Sequence, residues 1–357
     1  MSIGQQTEIG LRFLGDGRQT ADSVAAELAG FVASAKRSLD IAIYDCALTG
    51  DVAATIAHAL QRATDAGVKI RIAYFGEQRG SDTIPPPAGS SEAFLAPLGL
   101  PYRPIAGDRA LMHHKYAVRD AGLPNAAVWT GSTNWTNDSW SREENVILQL
   151  PSQDLAALYR ADFEELWASG SIEDTGSDVL GSAGLSYTGQ SVPVQVWFSP
   201  GRGLDMAHQV AQAITMARHR ILIASPVLTV GSVLGALGDV VHRGHVALAG
   251  VYDATQMQEV REQWRVDPHA SWKVGAFDGI AQAADFAAKR STPYAPGSVH
   301  DYMHLKMIVA DDMVFTGSYN FSHSGEENAE NLLRLDSSAL AGACAGAIHA
   351  IIERYGT

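Results

Sequence analysis

The sequence predicts an α/β protein whose two related α/β/α halves form a pseudo-twofold sandwich in one chain. Two observations predict it: a strand–helix–strand text written twice, and a polar text that follows each copy. The first unit begins at 38–45, SLDIAIYD, where Leu39, Ile41 and Ile43 alternate with smaller or polar neighbours as in a strand. Thr49 or Asp51 can cap the next helix, whose apolar stripe is Val52, Ile56, Ala59, Leu60 and Ala63; Gly67 stops it. VKIRIAYF then alternates through Val68, Ile70, Ile72 and Tyr74. A crossover of this kind makes the two strands parallel.

The same order returns at 220–252, with RILIASPV as strand, GSVLGALGDVVHR as a helix stopped by Gly244, and HVALAGVY as strand. A further helix precedes each unit, entered through FLGDGRQTADS in one half and WFSPGRGLDMA in the other. QDLAALYRADFEELW and SALAGACAGAIHAIIERY are amphipathic helices that end the halves. Residues 169–192 are rich in Gly and Ser and read as a connector. The expected division is therefore 1–168, a connector over 169–192, and 193–357: a pseudo-dimer within one chain, expected to be a monomer.

Hydrophobic residues make up 46 % of the 357 and charged ones 18 %, enough apolar surface to bury a core in each half. No apolar run reaches the ~18–20 residues of a transmembrane segment. The opening MSIGQQTEIGLRFLG has neither a basic stretch nor an apolar core of a secretory signal. Cys46 and Cys344 follow no metal or redox spacing and read as buried thiols in a reducing compartment. Together these predict a cytoplasmic protein. The net charge of −13 excludes a generally basic nucleic-acid coat, though not a local basic groove.

The polar text is MHHKYAVRD then WTGSTNWTNDSWSREENVILQL in the first half, and MHLKMIVADDMVFTGSYNFSHSGEENAENLLRL in the second. Both contain H-x-K-x(4)-D, then G-S-x-N, then Glu-Asn opening a strand. The residues are His113, Lys115, Asp120, Ser132, Asn134 and Glu144, and His304, Lys306, Asp311, Ser318, Asn320 and Glu330. In a strand, positions i and i+2 share a face, so each His and Lys point the same way. Asp120 and Asp311 fall on the opposite parity at strand ends and read as supports of a turn, not proton carriers. The Gly of G-S-x-N allows close backbone approach, and the Ser hydroxyl and Asn amide can donate to a phosphate oxygen. One H-x-K-x(4)-D match is expected in roughly one chain per hundred; two, each with the same downstream text, are beyond chance. Only six of the 26 basic residues are lysines, yet both motif positions are Lys, so a compact ammonium is wanted there.

These residues resemble the phospholipase D superfamily over nearly the whole chain. HHKYAVRD with GSTNWT and EENVIL is similar to the Zucchini and mitochondrial branch. HLKMIVAD with GSYNFS and NAENLL is similar to small bacterial endonucleases that work as homodimers. Secreted bacterial phospholipases D usually carry a different text after the second G-S. Arg119 stands where relatives commonly have an apolar residue, and in both halves the Glu-Asn pair lies one residue closer to G-S than in that branch. The resemblance implies a phosphodiester substrate, no cofactor, no metal, and two His–Lys pairs sharing one phosphate. It also implies a phosphohistidine on one His, assigned to His113, with His304 as general acid. Lys115, Lys306, Asn134 and Asn320 would surround the nonbridging oxygens, and Glu144 and Glu330 would hold imidazole N–H groups, in the same or the opposite half. Nucleic acid, with single strands favoured, is the expected substrate; phospholipid is the alternative.

The segments 79–110 and 276–303 are Pro-, Gly- and Ala-rich and should rim the cleft. Arg79, Arg103, Arg109, Lys289 and Arg290 could meet a polyanion there, while Phe94, Leu95, Leu98, Leu100 and Tyr102 could face an acyl chain or pack the loop. Trp135 and Phe321 could stack on substrate bases or pack beneath their loops. His114 follows the catalytic position and should point away from it, and the strand reading of MHLK forbids a helical metal pair of His300 and His304.

Overall fold

The computed structural model describes residues 8–79, 90–295 and 297–356. Its two sheets repeat one plan. The first has seven strands in the order Gly10–Leu14, Asn145–Leu150, Ala127–Gly131, Lys115–Arg119, Ser38–Ile43, Lys69–Arg79, Tyr102–Asp108. The second has eight, in the order Leu180–Tyr187, Gln190–Ser199, Glu330–Asp336, Met313–Gly317, Met307–Ala310, Arg220–Ser225, Ala247–Asp253, Ala287–Lys289. The expected crossovers are present: Ser38–Ile43 runs parallel to Lys69–Arg79, and Arg220–Ser225 parallel to Ala247–Asp253.

Local signals explain these elements. The helix Gly50–Asp65 starts after Thr49 and buries Val52, Ile56, Ala59, Leu60 and Ala63, the stripe read from the sequence. The helix Gly231–Arg243 ends at Gly244, which takes the left-handed conformation and donates its N–H to the Val240 carbonyl. The Gly/Ser-rich stretch differs from the expected connector. Its Leu180–Tyr187 pairs antiparallel with Gln190–Ser199 around Thr188 and Gly189, adding an eighth strand to the second sheet. Small residues hid a strand whose Ala183 and Leu185 reach the core.

The closing helices Gln153–Ser169 and Ser338–Tyr355 supply Leu155, Tyr159, Phe163, Leu340, Cys344 and Ile348 to a central core built from both sheets. Separate outer cores lie beneath the helices Ala21–Ala33 and Gly50–Asp65 in one half, and Gly203–Met216 and Gly231–Arg243 in the other. The halves thus share one interior, which fixes their orientation. Among the described residues no helix is long and apolar enough to cross a membrane.

Candidate active site

The two H-x-K texts leave their own sheets and reach the opposite half. His113 lies just before the strand Lys115–Arg119, and His304 before Met307–Ala310, so both imidazoles sit on lead-ins, not inside the strands the sequence suggested. Met112 bridges Ala329 and Met303 bridges Glu144. Through these bridges the His113 N–H donates to the Ala329 carbonyl at 2.9 Å and the His304 N–H to the Glu144 carbonyl at 3.1 Å. Each lysine folds back: Lys115 Nζ donates to the His113 carbonyl at 2.8 Å, and Lys306 Nζ to the His304 carbonyl at 2.7 Å.

The histidines differ in what holds them. His113 Nδ1 lies 2.8 and 2.9 Å from the two carboxylate oxygens of Glu330. His304 Nδ1 lies 3.1 Å from Asn145 Oδ1 and 3.4 Å from Glu143 Oε2. With an acceptor at Nδ1, the proton rests there and Nε2 keeps its lone pair. The source of the difference is a one-residue offset. Val146 N–H donates to Ser132 Oγ across 14 positions, whereas Asn331 N–H donates to Ser318 Oγ across 13. Spatially, Asn145 therefore matches Glu330, and Glu144 matches Ala329. The extra residue falls between the short helix Asn137–Ser141 and the strand at Asn145.

Glu144 accordingly leaves the group expected of it. Its carboxylate turns from the imidazoles and accepts from Lys289 Nζ and the Tyr355 hydroxyl, both at 2.6 Å. Equal Ser-to-Glu spacing in the two halves concealed the offset, and identity with the second Glu-Asn pair aligned the wrong residue. Glu143 and Asn145 were missed for the same reason; the doubled Glu of EENV was the available signal.

Gly131 and Gly317 adopt φ of 139° and 149°, and a Cβ there would stand 2.1 Å from the Val146 carbonyl oxygen or 2.3 Å from that of Asn331. That close approach lets the Ser132 and Ser318 N–H groups bond those carbonyls at 3.0 and 3.1 Å. The Ser132 hydroxyl donates onward to Asn145 Oδ1 at 2.6 Å, so it orients a histidine partner instead of facing substrate. Asn134 and Asn320 do line the cleft, and the Oδ1 of each is buried with no partner among the described residues.

His113 and His304 open on one cleft of about 400 Å³ whose wall carries Tyr44, Asp45, Glu259, Tyr294, Tyr302 and the Glu143 carboxylate. No arginine or lysine lines it among the described residues. Tyr44 meets the His113 ring edge-on at 4.8 Å, and Lys115 Nζ lies 5.0 Å from the Tyr44 centroid. Burial pushes both imidazoles well below their usual pKa, and Lys115 and Lys306 add to the shift. Burial also brings Lys115 down to about 7 and lowers Lys306 well below the ordinary lysine value. It raises Glu330 to about 8, Glu143 to about 7 and Asp45 to about 6. An anion entering the cleft would favour the cationic forms of the two histidines and the two lysines.

Other expected substrate contacts lie elsewhere. Trp135 and Phe321 are buried in the two outer cores, taking the packing alternative over stacking. Arg103 donates to the Trp167 and Ala168 carbonyls at the end of a closing helix, and Arg109 is exposed outside the cleft lining. Lys289 is consumed by Glu144, and Arg290 is exposed. Phe94, Leu98 and Tyr102 pack on the first outer core, and Leu95 and Leu100 lie within it. The Arg79 side chain and residues 80–89 fall outside the described residues.

Asp120 and Asp311 occupy the supporting places read for them. Asp120 accepts from the N–H groups of Lys36, Arg37 and Ser38, and Asp311 from those of Arg218, His219 and Arg220. His114 points away from the cleft, with Nε2 3.2 Å from Asp162 Oδ2. His300 stacks on Tyr302, and no group of three or more metal-ligating side chains is found among the described residues.

The sheet plan is thus written twice, and the histidine lead-ins cross between the two copies. The family described as "Cardiolipin synthase, PLD-like domain" matches residues 28–167 and 210–352, and the chain belongs to that family. Phosphatidylserine synthase from Haemophilus influenzae superposes with a TM-score of 0.63 at 10 % identity, over 97 % of this chain and 86 % of that one. Polyphosphate kinase from Porphyromonas gingivalis gives 0.58 at 12 % identity, over 98 % of this chain and 48 % of that one. NucT from Helicobacter pylori matches 46 % of this chain and 99 % of its own at 20 % identity, with a TM-score of 0.37. Comparison with curated protein sequences finds no match.

Proposed function

We propose that the chain is a metal-independent phosphodiesterase acting through a phosphohistidine, on phosphodiesters carrying a small headgroup of the glycerophospholipid type. His113 Nε2 attacks phosphorus while the leaving oxygen takes the proton of His304 Nε2 and its bond to phosphorus breaks. A water or alcohol then gives its proton to His304 as its oxygen attacks, and the phosphorus–nitrogen bond breaks to restore His113. The carboxylate of Glu330 suits His113 to the nucleophile's part, because it stabilises the positive charge that develops on the attacking imidazole. Asn134 and Asn320, which line the cleft, supply donors to the nonbridging oxygens, and Lys115 and Lys306, buried behind the histidines, supply positive charge.

The observation that carries the substrate is the wall of the cleft. A polynucleotide needs cationic partners for the phosphates flanking the scissile one, yet this wall holds Asp45, Glu143 and Glu259 with three tyrosines. Carboxylates and aromatic faces suit a headgroup bearing a cationic nitrogen or hydroxyls. The family description and the synthase likeness point the same way. The motif text favoured nucleic acid, with single strands preferred; of the cations expected to track such a strand, Arg103, Arg109, Lys289 and Arg290 do not line the cleft. The test is headgroup release from vesicles of phosphatidylcholine, phosphatidylethanolamine, phosphatidylserine and phosphatidylglycerol, beside cleavage of single-stranded DNA and RNA, for wild type and His113→Ala. Headgroup release lost in the variant is expected. Nucleolytic products lost in the variant, with no headgroup released, would make nucleic acid the substrate.

A further inference from the structure

The cleft is not symmetric about its two histidines, and this carries an inference that rests on the two-histidine reading above. We propose that Glu143, acting directly on His304 and through Asn145, is the positioning residue that sets the protonation of the general acid. It takes up in the first half the task that Glu330 performs for His113.

The geometry is specific to this chain. The one-residue insertion before the strand brings the amide oxygen of Asn145 to His304 Nδ1, where the other half places the Glu330 carboxylate on His113. Asn145 is held so that it can only accept there: its Nδ2 donates to Glu143 Oε2 at 2.9 Å and to the Ser139 carbonyl at 3.2 Å. The Ser139 hydroxyl donates to the same Glu143 oxygen at 2.8 Å, which leaves that carboxylate aimed at the imidazole at 3.4 Å. An amide alone fixes the tautomer, whereas a carboxylate beside it also favours the imidazolium. His304 faces Lys306 on its own segment, Lys115 and His113 across the cleft, and His300 on the lead-in, all of which oppose its protonation. Glu143 is the carboxylate within ion-pair distance that works against them. Glu143 in turn faces Lys306 and Lys289, and neighbours Tyr302. Burial raises Glu143 to about 7, and its hydrogen bonds to Ser139 and Asn145 and the Lys306 ammonium work against that rise.

The experiment is the pH profile of kcat/KM on two diesters, one with a poor alcohol leaving group and one with nitrophenol. In Glu143→Gln the alkaline limb on the poor leaving group should move down by about one pH unit. Turnover of the nitrophenyl diester, which needs no acid, should fall less than that of the poor leaving group. Glu143→Asp should bring the limb back toward wild type. Asn145→Asp, which puts a carboxylate on His304 directly, should move it up, and it serves if Glu143→Gln fails to fold. Glu330→Gln should move the acid limb instead and slow both substrates. An alkaline limb that moves in none of the folded variants, or an equal loss on both diesters, overturns the proposal. His304→Ala separates the two levels: wild-type turnover of the poor leaving group in that variant would remove the two-histidine reading itself. An inactive His304→Ala beside an unmoved Glu143→Gln limb would remove only the role of Glu143.

Discussion

The two halves hold equivalent histidines by different means, although their motif text is nearly the same. In the second half the strand at Glu330 hands a carboxylate to His113. In the first half one extra residue moves Glu144 to the place of Ala329, so Asn145 and Glu143 serve His304 and Glu144 becomes a structural anchor for Lys289. The lesson is that a duplicated motif fixes which residue types converge, whereas loop length decides which copy of a residue arrives.

The sharpest way to break this comparison is through the leaving group. His113→Ala and His304→Ala should each lower turnover of a poor leaving group by about 10²–10⁴-fold or more. On a nitrophenyl diester His304→Ala should retain most of its rate while His113→Ala stays inactive. Equal loss of both variants on both substrates would erase the division of roles.

The two Glu-Asn glutamates give the next contrast. Glu330→Gln should cost about 10²-fold in kcat with a modest change in stability, since Glu330 holds His113 Nδ1. Glu144→Gln should do the opposite, removing the carboxylate 2.6 Å from the buried Lys289 and leaving Asp16 at 3.9 Å, at a cost of about 3 kcal/mol, while the folded protein keeps its kcat. Urea unfolding paired with kinetics on each variant measures both. A large kcat loss in Glu144→Gln without destabilisation would restore Glu144 to the active site.

Smaller effects are expected at the turn aspartates. Asp120 is fully buried and Asp311 is not, so Asp120→Ala should cost about 2–3 kcal/mol and Asp311→Ala about 1. Burial raises the Asp311 pKa, but three backbone N–H donors outweigh it and hold the carboxyl below its ordinary 3.8. Its stabilisation is therefore complete above the unfolded-state value and fades as pH falls through the folded one. Urea midpoints between pH 2 and 5, for wild type against Asp311→Ala, should converge at the acid end; parallel curves would contradict the assignment. The smallest expected effect is none: excess EDTA should leave the rate unchanged, because the proposed mechanism needs only side chains of the chain itself. Loss in chelator with recovery on adding a divalent ion would count against the mechanism.

Much of the fold was legible because it rests on local rules. The stripe from Val52 to Ala63, the stop at Gly244 and the parallel crossovers needed only periodicity and turn chemistry. The hairpin at 180–199 was not, since its strand is built from small residues and gains its place through Ala183 and Leu185 in a shared core. At the site, both His–Lys pairs and both Gly-Ser-x-Asn turns could be read directly. The offset at Asn145 could not, because it depends on how a five-residue helix is closed and not on residue identity. The aromatic and acidic wall was also hidden, since Tyr44, Glu259 and Tyr294 come from three distant stretches that only the tertiary fold brings together.

The crossed bridges, Met112 with Ala329 and Met303 with Glu144, tie each histidine to the other half's strand. Heredity acts through that crossing. In a homodimer of identical halves, an inserted residue would appear twice and alter both imidazoles together. Joined in one chain, the halves can change singly, and a change written in one is felt by the histidine of the other. The settings of the two histidines can then diverge along independent lines, each shaped by drift in the half that does not contain it.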